Sequence, residues 1–183
     1  MNFNDSIEIA IEKTWNDILI LPDDVIKVNL SICNEKKTMN VEINAPFYND
    51  PPPKAESGSL MGLWDFEVVE MFFLGNSEEY LELEFGPHNH FLVLYLRGKR
   101  NIVKNLSPLE YNAVIDGKKW SGKASIPLSF FPENVRKFNC YAIHGTGEKR
   151  TYLALFPTPN GSYLQPDFHR VEYFGDFKLA LSQ

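Results

Sequence analysis

Two-residue alternation of apolar and polar side chains, in short runs separated by turn residues, most constrains what this chain can fold into. Ile7, Ile9 and Ile11 alternate with other residues, then Val28, Leu30 and Ile32, then Met39, Val41, Ile43 and Ala45. Leu81, Leu83 and Phe85 interleave with Tyr80, Glu82 and Glu84. Successive side chains of a strand point to opposite faces, so each run can bury one face and present the other. The three-and-four spacing of an amphipathic helix is scarce. Turn signals fall between the runs: Asn34-Glu35-Lys36-Lys37, Gly75-Asn76-Ser77, Gly86-Pro87-His88-Asn89 and Gly145-Thr146-Gly147. Asp116-Gly117, between runs at 111–115 and 120–126, is a hairpin signal. Residues 91–96 are apolar throughout and predict a central strand covered on both faces. Residues 138–144 and 152–156 predict another strand pair, 127–132 a short turn, and 177–181 a closing strand. Many short strands at regular spacing predict an all-β fold, a single antiparallel β-sandwich with residues 1–183 as one domain.

Charge and cysteine usage narrow the function classes. A chain of 183 residues can bury a sizeable core without covalent staples, and 44% hydrophobic with 14% aromatic residues is the composition of a folded globule. A net charge of −6 argues against nucleic-acid binding and against a polybasic membrane role. The longest basic run, Arg97, Lys99 and Arg100 around Gly98, reads as a solvated turn. Cys33 and Cys140 are too few for a disulfide framework or a cysteine zinc site. Met1-Asn2-Phe3-Asn4-Asp5 has neither a basic nor an apolar targeting region, and no apolar run is long enough to span a bilayer. The expectation is a cytoplasmic protein with reduced thiols.

Carboxylates carry the strongest functional signal. Residues 63–74 predict a strand that places Trp64, Phe66, Val68, Glu70, Phe72 and Leu74 on one face. Glu70 is the one charge on that face. It needs a structural partner, a ligand or water, because an unpaired buried carboxylate is costly. Glu67, Glu70, Glu82 and Glu84 fall on two strands joined by a short turn. Clustered acids on a sheet can hydrogen-bond sugar hydroxyls, hold Ca²⁺, serve as a glycosidase pair, or form a solvated face. The long connection at 46–63 delivers the chain to Trp64, and loops of this length are often functional. His88 and His90 lack the further ligands of a metal site, and no metal or other cofactor is implied. Asp167 and His169 could form a general base, but no nucleophile stands beside them. The expectation is a protein without catalytic activity.

Residues 64–72 and 80–88, Trp64-Asp65-Phe66-Glu67-Val68-Val69-Glu70-Met71-Phe72 and Tyr80-Leu81-Glu82-Leu83-Glu84-Phe85-Gly86-Pro87-His88, resemble the ordered motifs of family 9 carbohydrate-binding modules. Trp120-Ser121-Gly122-Lys123-Ala124-Ser125-Ile126-Pro127 and Phe168-His169-Arg170-Val171-Glu172-Tyr173-Phe174-Gly175 look like two later motifs of those modules, in the same order. Ala45-Pro46-Phe47, Leu63-Trp64-Asp65, Lys137-Phe138-Asn139, Ala142-Ile143-His144-Gly145 and Pro166-Asp167-Phe168-His169 resemble, over nearly the whole chain, the eukaryotic family named after human chromosome 4 open reading frame 33. The latter resemblance implies no established activity. The former implies a jelly-roll type β-sandwich with a sugar site. In it Trp64 and Phe168 match the two stacking rings and Glu70 a hydroxyl-binding acid. Phe168 stands where the modules carry Trp, and Glu84 where a basic or neutral hydrogen-bonding residue is expected. The ligand-binding set implied is therefore Trp64, Glu70, Glu84 and Phe168, with a carbohydrate or small polar ligand. The alternative is a protein–protein interaction module that uses the 46–63 loop, with Trp64 as its anchor.

Overall fold

The computed structural model describes residues 6–76 and 78–181. Ser77 of the expected 75–77 turn, and residues 1–5 at the expected signal-free start, lie outside them. Thirteen strands follow in order: β1 (Ser6–Ile11), β2 (Ile26–Cys33), β3 (Thr38–Pro46), β4 (Gly58–Ser59), β5 (Val68–Leu74), β6 (Glu79–Phe85), β7 (His90–Arg97), β8 (Ile102–Asn105), β9 (Glu110–Asp116), β10 (Lys119–Pro127), β11 (Lys137–His144), β12 (Thr151–Ala154) and β13 (Gly175–Asp176). No α-helix occurs among the described residues, and none of the helical turns is long and apolar enough to cross a membrane.

The strands form two sheets. The first has the order β1-β2-β3-β10-β9. The second runs β12-β11-β5-β6-β7-β4, with β13 beside β11 and β8 beside β7. The alternating residues set the register. Ile9, Ile11, Val28, Leu30, Val41 and Ile43 of the first sheet face Val69, Met71, Phe73, Leu81, Leu83, Val93 and Cys140 of the second across one buried core. This is an all-β sandwich, as the alternation predicts. The Asp116-Gly117 hairpin forms between β9 and β10, and residues 91–96 lie in β7, largely buried, with β6 on one side.

The pairing departs from a purely antiparallel sandwich at β4, whose two residues run parallel to β7. The predicted closing strand at 177–181 does not form. β13 pairs Asp176 and Gly175 with Lys137 and Phe138, at the first residues of β11. After one more bond, from Phe177 N–H to Arg136 O at 2.7 Å, the chain runs past the end of that strand. Phe177 and Leu179 bury their side chains in the core instead.

The 63–74 strand also starts later than predicted. Gly62 takes a left-handed φ of 83° and opens a 3₁₀ turn, Leu63–Asp65, so β5 begins only at Val68. Phe66 N–H bonds Leu63 O and Asp65 N–H bonds Gly62 O, each within the turn. Arg150 donates to the carbonyls of Trp64 and Asp65. The polar backbone that a strand would offer to its neighbour is satisfied locally.

Candidate ligand-binding cleft

The outer face of the second sheet holds the acids. Glu70 of β5 lies opposite Glu84 of β6, and Phe72 lies opposite Glu82. Directly opposed residues sit about 5 Å apart at Cβ and diagonal ones about 7–8 Å apart, so three carboxyl groups share one small patch. Around them the same face is apolar: Val68, Phe72, Leu92, Leu94, Leu96, Tyr141 and Ile143 form a second buried cluster. The C-terminal segment closes over it, with Phe168 and Phe174 packed into that cluster and Phe66 and Trp15 at its margin. This cover leaves a cleft of about 360 Å³, within the ~300–1,000 Å³ usual for small-molecule sites.

Glu70 and Glu82 line the cleft, Trp64 and Ile102 lie at its edge, and Tyr152, Phe168 and His169 contribute to its walls. Trp64 is 37% exposed, whereas Glu70 and Glu82 are only 2% and 4% exposed. Glu70 Oε1 and Glu82 Oε2 are buried without a hydrogen-bond partner. Unmade bonds on buried polar atoms cost about 1–3 kcal/mol each, so these oxygens mark a place where an incoming group can be stabilised.

Burial dominates the electrostatics. It pushes the Glu82 carboxyl up to about 7, against the opposing influence of Glu84 and of the Arg100 cation. Burial, then the Glu82 charge, holds Glu70 well above the usual carboxylate range, with Arg150 acting the other way. Glu84 is raised by burial first and then by Glu70 and Glu82. His169 is lowered to about 4, first by burial and then by Arg100, and is neutral at pH 7. Its Nδ1 lies 2.7 Å from the Tyr80 hydroxyl, which accepts the Arg100 N–H at 3.1 Å.

Ion pairs fix the cleft's C-terminal wall. Asp167 accepts from Lys99 at 2.6 Å and from Arg100 at 2.8 Å, and its Oδ1 also takes the His169 backbone N–H at 3.0 Å. Despite burial, which acts upward, those two cations and that N–H hold its carboxyl far below the usual range. The Phe168 ring, between these anchors, stacks on Tyr141 at 3.9 Å and 9°. Its carbonyl accepts the Tyr141 hydroxyl at 3.1 Å.

Three of the four sequence-predicted binding residues therefore meet at one cleft: Trp64, Glu70 and Phe168. Trp64 arrives by the 3₁₀ turn and not by strand alternation. Glu84 is fully buried, is not among the residues that line the cleft, and acts on it through the neighbouring Glu82. Glu67, expected beside the other acids, precedes β5 and holds the 46–63 loop, accepting N–H bonds from Tyr48 at 3.2 Å and Asp50 at 3.5 Å. The Asp167–His169 base does not form through the ring, because the carboxylate is taken by Lys99 and Arg100. Of the second histidine pair, His90 is buried and its Nε2 lies 3.1 Å from Ala55 O, away from the cleft. Sequence reading missed Glu82 as a lining residue, although its alternation with Leu81 and Leu83 put it on the correct face. It also missed Arg100 and Arg150. Arg100 sat in a run read as a solvated turn, and no local pattern distinguishes Arg150.

Relatives of this chain lie in vertebrates. It is 45% identical over 179 residues to the UPF0462 protein C4orf33 homolog of Mus musculus, covering 94% of this chain and 92% of the relative. With the UPF0462 protein C4orf33 of Homo sapiens it shares 44% over 180 residues, 94% of this chain and 88% of the relative. The Danio rerio homolog is 41% identical over 179 residues, 94% and 89% of the two chains. Among solved structures, a candidate carbohydrate-binding protein from Bacteroides uniformis aligns with a TM-score of 0.68 over 94% of this chain and 86% of that one, at 15% identity. That likeness is one of fold. No protein-family model matches this chain.

Proposed function

The chain belongs to the UPF0462 C4orf33 family, and from that premise we propose that it is a non-catalytic binding protein whose cleft takes a carbohydrate or a small polar ligand. The observation that carries this reading is the pair of buried, unpartnered carboxyl oxygens on Glu70 and Glu82 beneath a half-exposed indole. An apolar cleft with a few convergent polar atoms is the usual form of a small-molecule site. Trp64 supplies a ring face, and Phe168, already stacked on Tyr141, supplies a rigid apolar wall. The fold likeness to the Bacteroides uniformis protein and the ordered motifs shared with family 9 modules support a sugar as ligand. The commitment of Asp167 to two cations, and of His169 Nδ1 to Tyr80, supports binding without catalysis. Stacking on one ring adds about 1 kcal/mol beyond area burial, so modest affinity is expected.

The test is tryptophan fluorescence of the folded protein titrated with mono- and oligosaccharides. Trp120 is buried in the core and Trp15 is partly buried at the margin of the outer-face cluster, so the Trp64→Ala variant separates the Trp64 signal from theirs. The expected result is a saturable change that weakens at least tenfold in Trp64→Ala. A flat response across the panel overturns the proposal.

A further inference from the structure

Resting on that carbohydrate reading, we infer that the cleft selects a ligand bearing a protonated amine, an amino sugar in preference to its neutral counterpart, with the ammonium seated on Glu70 and Glu82. The inference begins with what the cleft floor offers. Among the described residues, none of the ion pairs includes Glu70, Glu82 or Glu84. The nearby cations are engaged elsewhere. Arg150 donates to the carbonyls of Trp64 and Asp65 and, from Nε, to the Tyr152 hydroxyl, and Arg100 binds Asp167. Glu70 and Glu82 are nonetheless more than nine-tenths buried, each keeps an oxygen without a hydrogen-bond partner, and both residues line the cleft.

The donor and acceptor count favours an ammonium. Ionised carboxylates only accept hydrogen bonds, and an ammonium only donates, with three N–H groups. A hydroxyl brings one donor and two lone pairs, so it suits these carboxyls while they stay protonated, whereas an ammonium suits them only once they ionise. Trp64, Tyr152 and Phe168 also line the cleft, and aromatic faces attract a cation, more strongly where water is excluded.

Protons supply a second signature. Glu70 is faced by Glu82 and Glu84 from β6, by Tyr141 from β11 and by Arg150 from the segment before β12. Glu82 is faced by Glu84, and Arg100 acts on it from beyond β7. Burial, with mutual repulsion, raises both carboxyls in the free protein, Glu82 to about 7 and Glu70 well above the usual range, so protons are held there at pH 5. An ammonium removes that repulsion, so its binding ionises them and expels protons into the buffer. The affinity for an amine therefore rises as the pH goes from 5 to 7, whereas that for a neutral sugar stays flat.

Isothermal titration calorimetry of the full chain decides this, with D-glucosamine, D-glucose, N-acetyl-D-glucosamine and cyclohexylamine as probes, in two buffers of different ionisation enthalpy. The expected result is D-glucosamine binding about tenfold or more tighter than either neutral sugar, since hydrogen bonds between charged groups are about twice as strong as neutral ones. Proton release should accompany D-glucosamine alone among the sugars. In the folded double variant Glu70→Gln, Glu82→Gln the ratio of D-glucosamine to D-glucose affinity should fall toward one. Equal affinities in the unaltered protein overturn the amine preference and leave the carbohydrate reading intact. Cyclohexylamine bound with no sugar bound supports the amine site and overturns the carbohydrate reading. No binding of any of the four overturns both.

Discussion

Glu84 is fully buried, neither of its oxygens has a hydrogen-bond partner, and the Glu70 and Glu82 carboxyls stand beside it. A carboxyl in that position is retained in its protonated form. Its folded pKa lies well above the unfolded value of about 4.3, so the folded state binds more protons than the unfolded chain once the pH exceeds that value. Stability from this group is complete below pH 4 and is lost as the pH rises toward the folded pKa. Gln has nearly the shape of the protonated acid and does not titrate. The stability of Glu84→Gln relative to the unaltered protein should therefore grow by about 1 kcal/mol or more between pH 5 and pH 8, since one pKa unit is worth about 1.4 kcal/mol. Urea unfolding at the two pH values measures this, and an equal difference at both would show that Glu84 does not hold a proton in the fold.

At the scale of elements, the 3₁₀ turn Leu63–Asp65 decides whether the cleft exists. It has no cap from its own side chains, and its outward carbonyls at Trp64 and Asp65 are held by Arg150. Removing a charged donor from a hydrogen bond costs about 1.5–3 kcal/mol, less for a guanidinium partly exposed to water. Arg150→Ala should speed amide hydrogen exchange at 62–66 several-fold and leave the β5–β6 ladder unchanged, and unchanged exchange at the turn would remove Arg150 from that role. The strands were legible in the sequence because period-two burial is a local property: Leu81, Leu83 and Phe85 fill the core as their alternation requires. So was the face shared by Glu70, Glu82 and Glu84. The turn was not legible, because residues 63–74 are rich in strand-forming side chains and the departure at Gly62 is settled by Arg150, more than eighty positions away. Residues 177–181 failed for a related reason: the partner strand β11 ends before they can pair. Trp64 thus reaches the cleft by a 3₁₀ turn and not by the strand expected for it, whereas Arg100 and Arg150 left no local signal because long-range contacts alone give them their place.

The whole molecule adds these groups into one pH response, and the signs do not all agree. Asp167, held low chiefly by Lys99 and Arg100, contributes stability that is lost only under strong acid and is constant above pH 5. His169, lowered to about 4 chiefly by burial, remains neutral while the unfolded chain takes up protons below about 6.5, and His144, lowered chiefly by burial, acts in the same direction, so both favour the fold as the pH rises through that point. Glu67 and Glu82, each raised to about 7 chiefly by burial, and Glu70 and Glu84, raised well above the usual carboxylate range, act in the opposite direction from about pH 4.3 upward. Between pH 4.3 and 6.5 the histidines offset part of the glutamate loss. By about one unit above 6.5 the unfolded histidines are also neutral and the glutamates act alone. The slope is about 1.4 kcal/mol per pH unit for each proton retained only by the fold, so each carboxyl that stays protonated to pH 8 should cost the ligand-free protein on the order of 2 kcal/mol between pH 6.5 and 8. For a chain of this length that is roughly a 5 °C fall in Tm. Thermal melts across that interval at constant ionic strength test it, with the triple variant Glu70→Gln, Glu82→Gln, Glu84→Gln expected to flatten most of the fall. A Tm that holds steady or rises from pH 6.5 to 8 would mean that the carboxyl patch on the second sheet is already ionised and paired, and that the cleft floor is not the proton-holding surface its burial requires.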